Sequence, residues 1–150
     1  GSSCMMIPNP ELKQKISDSY DACWMFGPCD LAFTAMEAAY THGDAWVDQQ
    51  LAYLEGNVET VNTFVAEHMP GVQVTKHEGT FLMWLDMTCF GKSSRELTSI
   101  LAKEYGLALG DGSHYGTQAE GFMRLNIGCT RDTLIKGLEQ MAVMYDKYVK

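Results

Sequence analysis

Apolar residues at Val47, Leu51, Leu54, Val58, Val61 and Val65 recur at alternating steps of four and three, the stripe of one long amphipathic helix. Gly43 breaks the pattern ahead of it, Asp44 restarts it, and Pro70 and Gly71 end it after Met69. At about 1.5 Å per residue such a helix is roughly 40 Å long. Gly56 within it costs about 1 kcal/mol relative to alanine, so packing or a bend should require it. Upstream, Leu12, Ile16, Tyr20 and Cys23 share a face and predict a helix from Asn9 or Pro10 to about Trp24, interrupted by Gly27 and Pro28. Asp30 is the expected N-cap of a second helix reaching His42, whose Ala32, Ala35, Ala38 and Ala39 permit close helix packing. Cys4 to Ile7 reads as a short apolar strand closed by Pro8 and Pro10, and Gly1 to Ser3 as a cloning scar or the tail of a truncated segment.

Downstream the period changes to two. Val72 to Thr75 predicts a strand, and Thr80 to Met87 a second one, apolar on both faces and therefore central in its sheet. Ser93 or Ser94 should cap a helix with Leu97, Ile100 and Leu101 facing inward and Gly106 at its end. Leu107 to Leu109 is an expected short strand, followed by a glycine-rich turn from Gly110 to Ala119. Between Glu120 and Gly128, Met123, Leu125 and Ile127 alternate with Phe122, Arg124 and Asn126, so one face is expected in the core while the other carries a cation. Thr130 caps the last helix, with Asp132 in its first turn, Lys147 and Lys150 at its C-terminal end, and a stripe of Leu134, Leu138, Met141, Ala142, Tyr145 and Val149. The order predicts an α+β layer, helices over a small, mainly antiparallel sheet.

With 150 residues the chain suits one domain or one large fragment, and 20% charged against 46% apolar residues is an ordinary globular composition. A net charge of -8 argues against nucleic acid or an anionic membrane as partner. No apolar run is longer than that from Phe81 to Leu85, far short of the roughly 20 residues of a membrane helix. Five cysteines without a C-x-x-C pair suit free thiols in a reducing cytoplasm. His42, His68, His77 and His114 lack metal-site spacing, and no G-x-S-x-G, P-loop or G-x-G-x-x-G is present.

Arg124 is the one residue of its strand with chemistry to offer, because its planar guanidinium suits a carboxylate bidentately. The bland alternative is an arginine on the solvated face of a half-buried strand. LALGDGSHYGTQAEGFMRLNIG, Leu107 to Gly128, resembles the end of fold-type I pyridoxal-phosphate (PLP) enzymes, the aminotransferase class I/II superfamily, most of all its cystathionine β-lyase-like branch. Two further blocks, EGTFLMWLD (Glu78 to Asp86) and LAYLEGNVETVNTFV (Leu51 to Val65), lie in family order and spacing, so the resemblance covers nearly the whole chain.

In that family a G-x-x-F/Y-G turn, here Gly112 to Gly116, precedes G-F-x-R-L-N, whose arginine holds the substrate α-carboxylate; the resemblance puts Arg124 in that role. It implies the small C-terminal domain of the PLP-dependent transferase fold at 43–150, with a remnant strand and long interdomain helices at 1–42 leading to a missing N-terminal PLP-binding domain. It further implies pyridoxal 5'-phosphate as cofactor, an amino-acid substrate and a homodimer when full length. The Schiff-base lysine and most phosphate ligands would lie upstream of Cys4, so the chain alone is expected to be inactive. His114 ahead of the aromatic of the turn, and Thr130 where many relatives carry proline before Arg131, depart from the family pattern. The competing expectation is a standalone ligand-binding or interaction domain without catalysis.

Overall fold

The computed structural model describes residues 3–25, 27 and 29–149. What the sequence suggested for Gly1, Ser2, Pro28 and Lys150 falls outside them. The chain divides into two compact units, Gly1–Gln49 and Gln50–Lys150.

The first unit is helical. Helix α1 (Pro10–Ala22) starts where Asn9 Oδ1 accepts the Leu12 backbone N–H at 3.0 Å, with proline in the first turn, where a missing N–H costs nothing. Helix α2 (Asp30–His42) begins one residue earlier than expected: Cys29 is its N-cap, without a side-chain cap bond, and Asp30 lies in the first turn, favourable to the helix dipole. Neither α1 nor α2 buries a residue, so the alanine face of α2 is not closed by helix packing. Cys4 to Ile7 is not a strand; no ladder partner pairs with it, and Met6 is 92% exposed. An extended apolar segment without a sheet edge beside it remains coil.

Helix α3 (Asp44–His68) contains the boundary between the units. Its apolar stripe is used unevenly: Val61 and Val65 are buried and Leu54 and Val58 half-buried, whereas Val47 and Leu51 are exposed. In the second unit, β1 (Gln73–Val74), β2 (Leu82–Asp86), β3 (Gly110–Asp111) and β4 (Phe122–Asn126) form one antiparallel sheet in the order β1-β2-β4-β3. β2 is central, as its two apolar faces predict. β3 forms three residues later than expected, at the first residues of the glycine-rich turn, because it is Gly110 and Asp111 that find partners in Arg124 and Met123. The rest of that turn coils into two short 3-10 segments.

Met83, Leu85, Met123 and Ile127 project from one sheet face into a core completed by Leu97 and Leu101 of α4 (Ser94–Tyr105) and Leu134, Leu138, Met141 and Met144 of α5 (Arg131–Tyr148). Among the described residues every buried apolar one lies between Val61 and Tyr145, so this core belongs to the second unit. A reciprocal capping box, Ser93 with Glu96, starts α4, and Gly106 in the left-handed region closes it. Ser94, fully buried, accepts the Gly121 N–H at 2.7 Å while its own N–H donates to Glu120 at 2.6 Å, tying the α4 start to the turn that launches β4. Thr130 caps α5 as expected.

Candidate carboxylate-binding face

Because side chains alternate along a strand, burial of Met123 and Ile127 turns Phe122, Arg124 and Asn126 to the opposite face of the sheet. Arg124 stands at the centre of that face. It is in register with Trp84 of β2 on one side and with Gly110 of β3 on the other. The residue is half-buried.

Three neighbours shape the guanidinium. Arg124 Nη1 donates to the Tyr115 hydroxyl, and the Arg124 Cζ lies 5.2 Å from the Tyr115 ring centroid, a cation–π contact. The Tyr115 ring is braced edge-on by Trp84, with centroids 5.2 Å apart and planes at 88°. At Gly110 a Cβ atom would sit 3.1 Å from both Cβ and Nε of Arg124, so glycine there lets the arginine stem lie across β3. Among the described residues no carboxylate pairs with Arg124; the ion pairs join Lys76 with Glu78, Lys147 with Glu104 and His68 with Glu67. A half-buried cation without an internal counter-ion retains its capacity for an external one.

The flanking acids are engaged elsewhere. Asp86 accepts from the Thr88 N–H and hydroxyl at 2.9 and 2.6 Å. Asp111 accepts from the Ser113 hydroxyl and N–H at 2.7 and 2.8 Å, and the hydroxyl bond above all holds its carboxyl below the usual range. Burial, and then the Asp86 charge, push the Cys89 thiol up, so it is a poor nucleophile. A groove of about 420 Å³ between α3 and residues 77–80 is lined by Glu55, Glu59 and Glu78, carboxylates that oppose an anion. His114, which departs from the family pattern, is exposed on the same turn as Tyr115.

A supporting network was not foreseen. Asn57, fully buried in α3, donates from Nδ2 to the carbonyls of Ile127 at 2.8 Å and Cys129 at 3.2 Å, clamping the end of β4. Its Oδ1 accepts from Arg131 Nε at 2.8 Å, and the Arg131 guanidinium also reaches the Tyr53 carbonyl at 3.2 Å and lies over the Tyr53 ring. A Cβ at Gly56 would meet Arg131 Nη2 at 2.5 Å, which is the packing reason for a glycine in mid-helix. The sequence held one signal: Asn57 lies three residues after Leu54 and four before Val61, a polar residue on the apolar stripe.

No protein-family model matches the chain. It is 36% identical over 140 residues to the cystathionine β-lyase PatB of Bacillus subtilis (strain 168), covering 93% of this chain and 36% of that protein. To the protein MalY of Escherichia coli (strain K12) it is 35% identical over 115 residues, covering 74% and 28%. A PLP-bound protein from Clostridium difficile 630, described as an aminotransferase, superposes with a TM-score of 0.88 at 30% identity over 93% of this chain and 36% of that one. Cystalysin from Treponema denticola, which contains PLP, shares the fold at a TM-score of 0.88 and 22% identity, over 97% and 36% of the two chains. The chain thus spans about a third of the length of the relatives it matches.

Those structures carry PLP on a protein about three times as long, and the donor set of this chain does not fit the cofactor by itself. An imine-forming lysine needs an amine that gives up its proton readily. Among the described residues the lysines are exposed, apart from half-buried Lys92 over the Tyr148 ring. Lys147 is shifted the wrong way, its pKa raised by the bond to Glu104. No cluster of His, Cys, Asp and Glu among the described residues suits a metal.

Proposed function

The chain is homologous over nearly its whole length to PLP-dependent cystathionine β-lyases and aminotransferases of fold type I, and on that premise we propose that it is the C-terminal domain of such an enzyme. Arg124 receives the α-carboxylate of an amino-acid substrate. The observation that carries this is a half-buried guanidinium at the centre of the sheet face opposite the core, hydrogen-bonded to a phenol and unpaired with any carboxylate among the described residues. The bound PLP of the parent supplies the electron-withdrawing chemistry at the α-carbon. This chain holds one end of the substrate, and by itself it is inactive for want of a suitable amine.

Cystathionine or cysteine, cleaved at the C–S bond, ranks ahead of amino transfer because most of the curated relatives are named as cystathionine β-lyases, against one named as an aminotransferase. The five free thiols suit a reducing cytoplasm. Among the described residues no helix is long and apolar enough to cross a membrane. The parent is a homodimer in this reading, with the exposed apolar side chains of the first unit, Leu31, Phe33 and Tyr40 among them, covered by the PLP-binding domain or the second copy.

The test is kinetic. The parent enzyme, loaded with PLP, should release pyruvate from cystathionine, and Arg124→Ala should lower kcat/KM on the order of a hundredfold, the loss of a bidentate charge-assisted pair. Unchanged kcat/KM in that variant would overturn the assignment of Arg124, and transamination without pyruvate release would overturn the lyase ranking.

A further inference from the structure

We propose that Tyr115 is a positioning residue for Arg124, tying down one Nη so that the guanidinium meets an anionic ligand by its Nε edge. This rests on the reading of Arg124 as a carboxylate site and adds which edge of the cation is used and what sets it. A guanidinium on a flexible stem samples several orientations, and freezing them before binding raises affinity by sparing the ligand that cost.

Two independent constraints act here. Tyr115 occupies Nη1 with its hydroxyl and keeps its ring centroid 5.2 Å from the guanidinium carbon, and the ring meets Trp84 edge-on. Across the sheet, Gly110 lets the β3 backbone lie against the arginine stem, since even a methyl group there would come within 3.1 Å of Nε and displace it. With Nη1 committed, the N–H groups of Nε and Nη2 form the fork that remains, and their parallel pair matches the two oxygens of one carboxylate. The hydroxyl is what distinguishes this from simple aromatic packing, because phenylalanine would keep the ring contacts with Trp84 and the cation and lose only the bond to Nη1.

The experiment is an acetate titration of the 150-residue chain followed by side-chain 1H–15N spectra, with the Arg124 Nε–H signal identified by its loss in Arg124→Lys. Acetate should move that signal downfield. Tyr115→Phe should merge the Arg124 Nη signals through faster rotation about Nε–Cζ and weaken acetate by about fivefold, the equivalent of one ordinary hydrogen bond. Gly110→Ala should suppress the Nε–H response while the backbone spectrum keeps its dispersion. If Tyr115→Phe changes neither rotation nor affinity, or if acetate shifts the Nη signals alone, the positioning role falls while Arg124 survives as a carboxylate site. If acetate moves no Arg124 signal at all, the carboxylate reading fails, and this inference with it.

Discussion

At the scale of single residues, the polar groups inside the second unit are placed where removal leaves a partner stranded. Asn57→Ala should cost about 2–3 kcal/mol, because the Ile127 and Cys129 carbonyls and Arg131 Nε all lose a partner at once. Urea unfolding measures it, and a loss below a few tenths of a kcal/mol would mean that water replaces the amide. Gly56 makes a sharper case. Alanine should favour α3 by about 1 kcal/mol on propensity, yet its methyl group collides with the Arg131 guanidinium. In a double-mutant cycle Gly56→Ala should therefore destabilise the native chain and stabilise the Arg131→Ala background; equal effects in both would show that the two positions are uncoupled. Arg124 was readable in the sequence as the one cation on a strand face, and the expectation that it takes a carboxylate came from the motif around it. The Tyr115 bond and the Gly110 clearance could not be read, because they arise from β3 pairing three residues beyond the expected strand.

The elements were legible where their signals are local. Caps at Asn9, Ser93 and Thr130, the 3.6-residue stripes and the alternation in β2 and β4 all depend on neighbours along the chain. Two expectations failed: Cys4 to Ile7 has the composition of a strand and joins no sheet among the described residues, and none of the alanines of α2 is buried. Besides Asp111 of β3, helix α4 carries two carboxylates depressed by folding. Hydrogen bonds from the Ser93 side chain hold Glu96 below its usual pKa, and the Lys147 ammonium does the same for Glu104. A carboxylate depressed by folding contributes stability that is complete above its unfolded pKa and lost as pH falls through the folded one. The thermal midpoint should thus hold steady near neutrality and decline below about pH 4.5, the ordinary value for glutamate. Glu96→Ala should lower the midpoint at pH 7 and converge with the native chain in acid. A gap that persists undiminished at pH 2 would assign the effect to packing.

At the scale of the molecule, the second unit contains all the buried core among the described residues, while the first presents α1 and α2 without a single buried residue among them. Leu138→Ala, a cavity in that core, should cost about 2–5 kcal/mol. Residues 50–150 expressed alone should melt cooperatively near the midpoint of the whole chain, and failure to fold would show that 1–49 stabilises the core by contacts outside it. The proposed function divides the labour accordingly, with one unit presenting Arg124 on its sheet face and the other exposing apolar helix side chains. The most direct measurement is the affinity of the PLP-loaded parent for an unreactive amino acid and for its carboxamide, in the native enzyme and in Arg124→Ala. The acid should bind native enzyme on the order of a hundredfold more tightly than the amide, and the preference should vanish in the variant. An acid preference that survives removal of Arg124 would contradict the assignment.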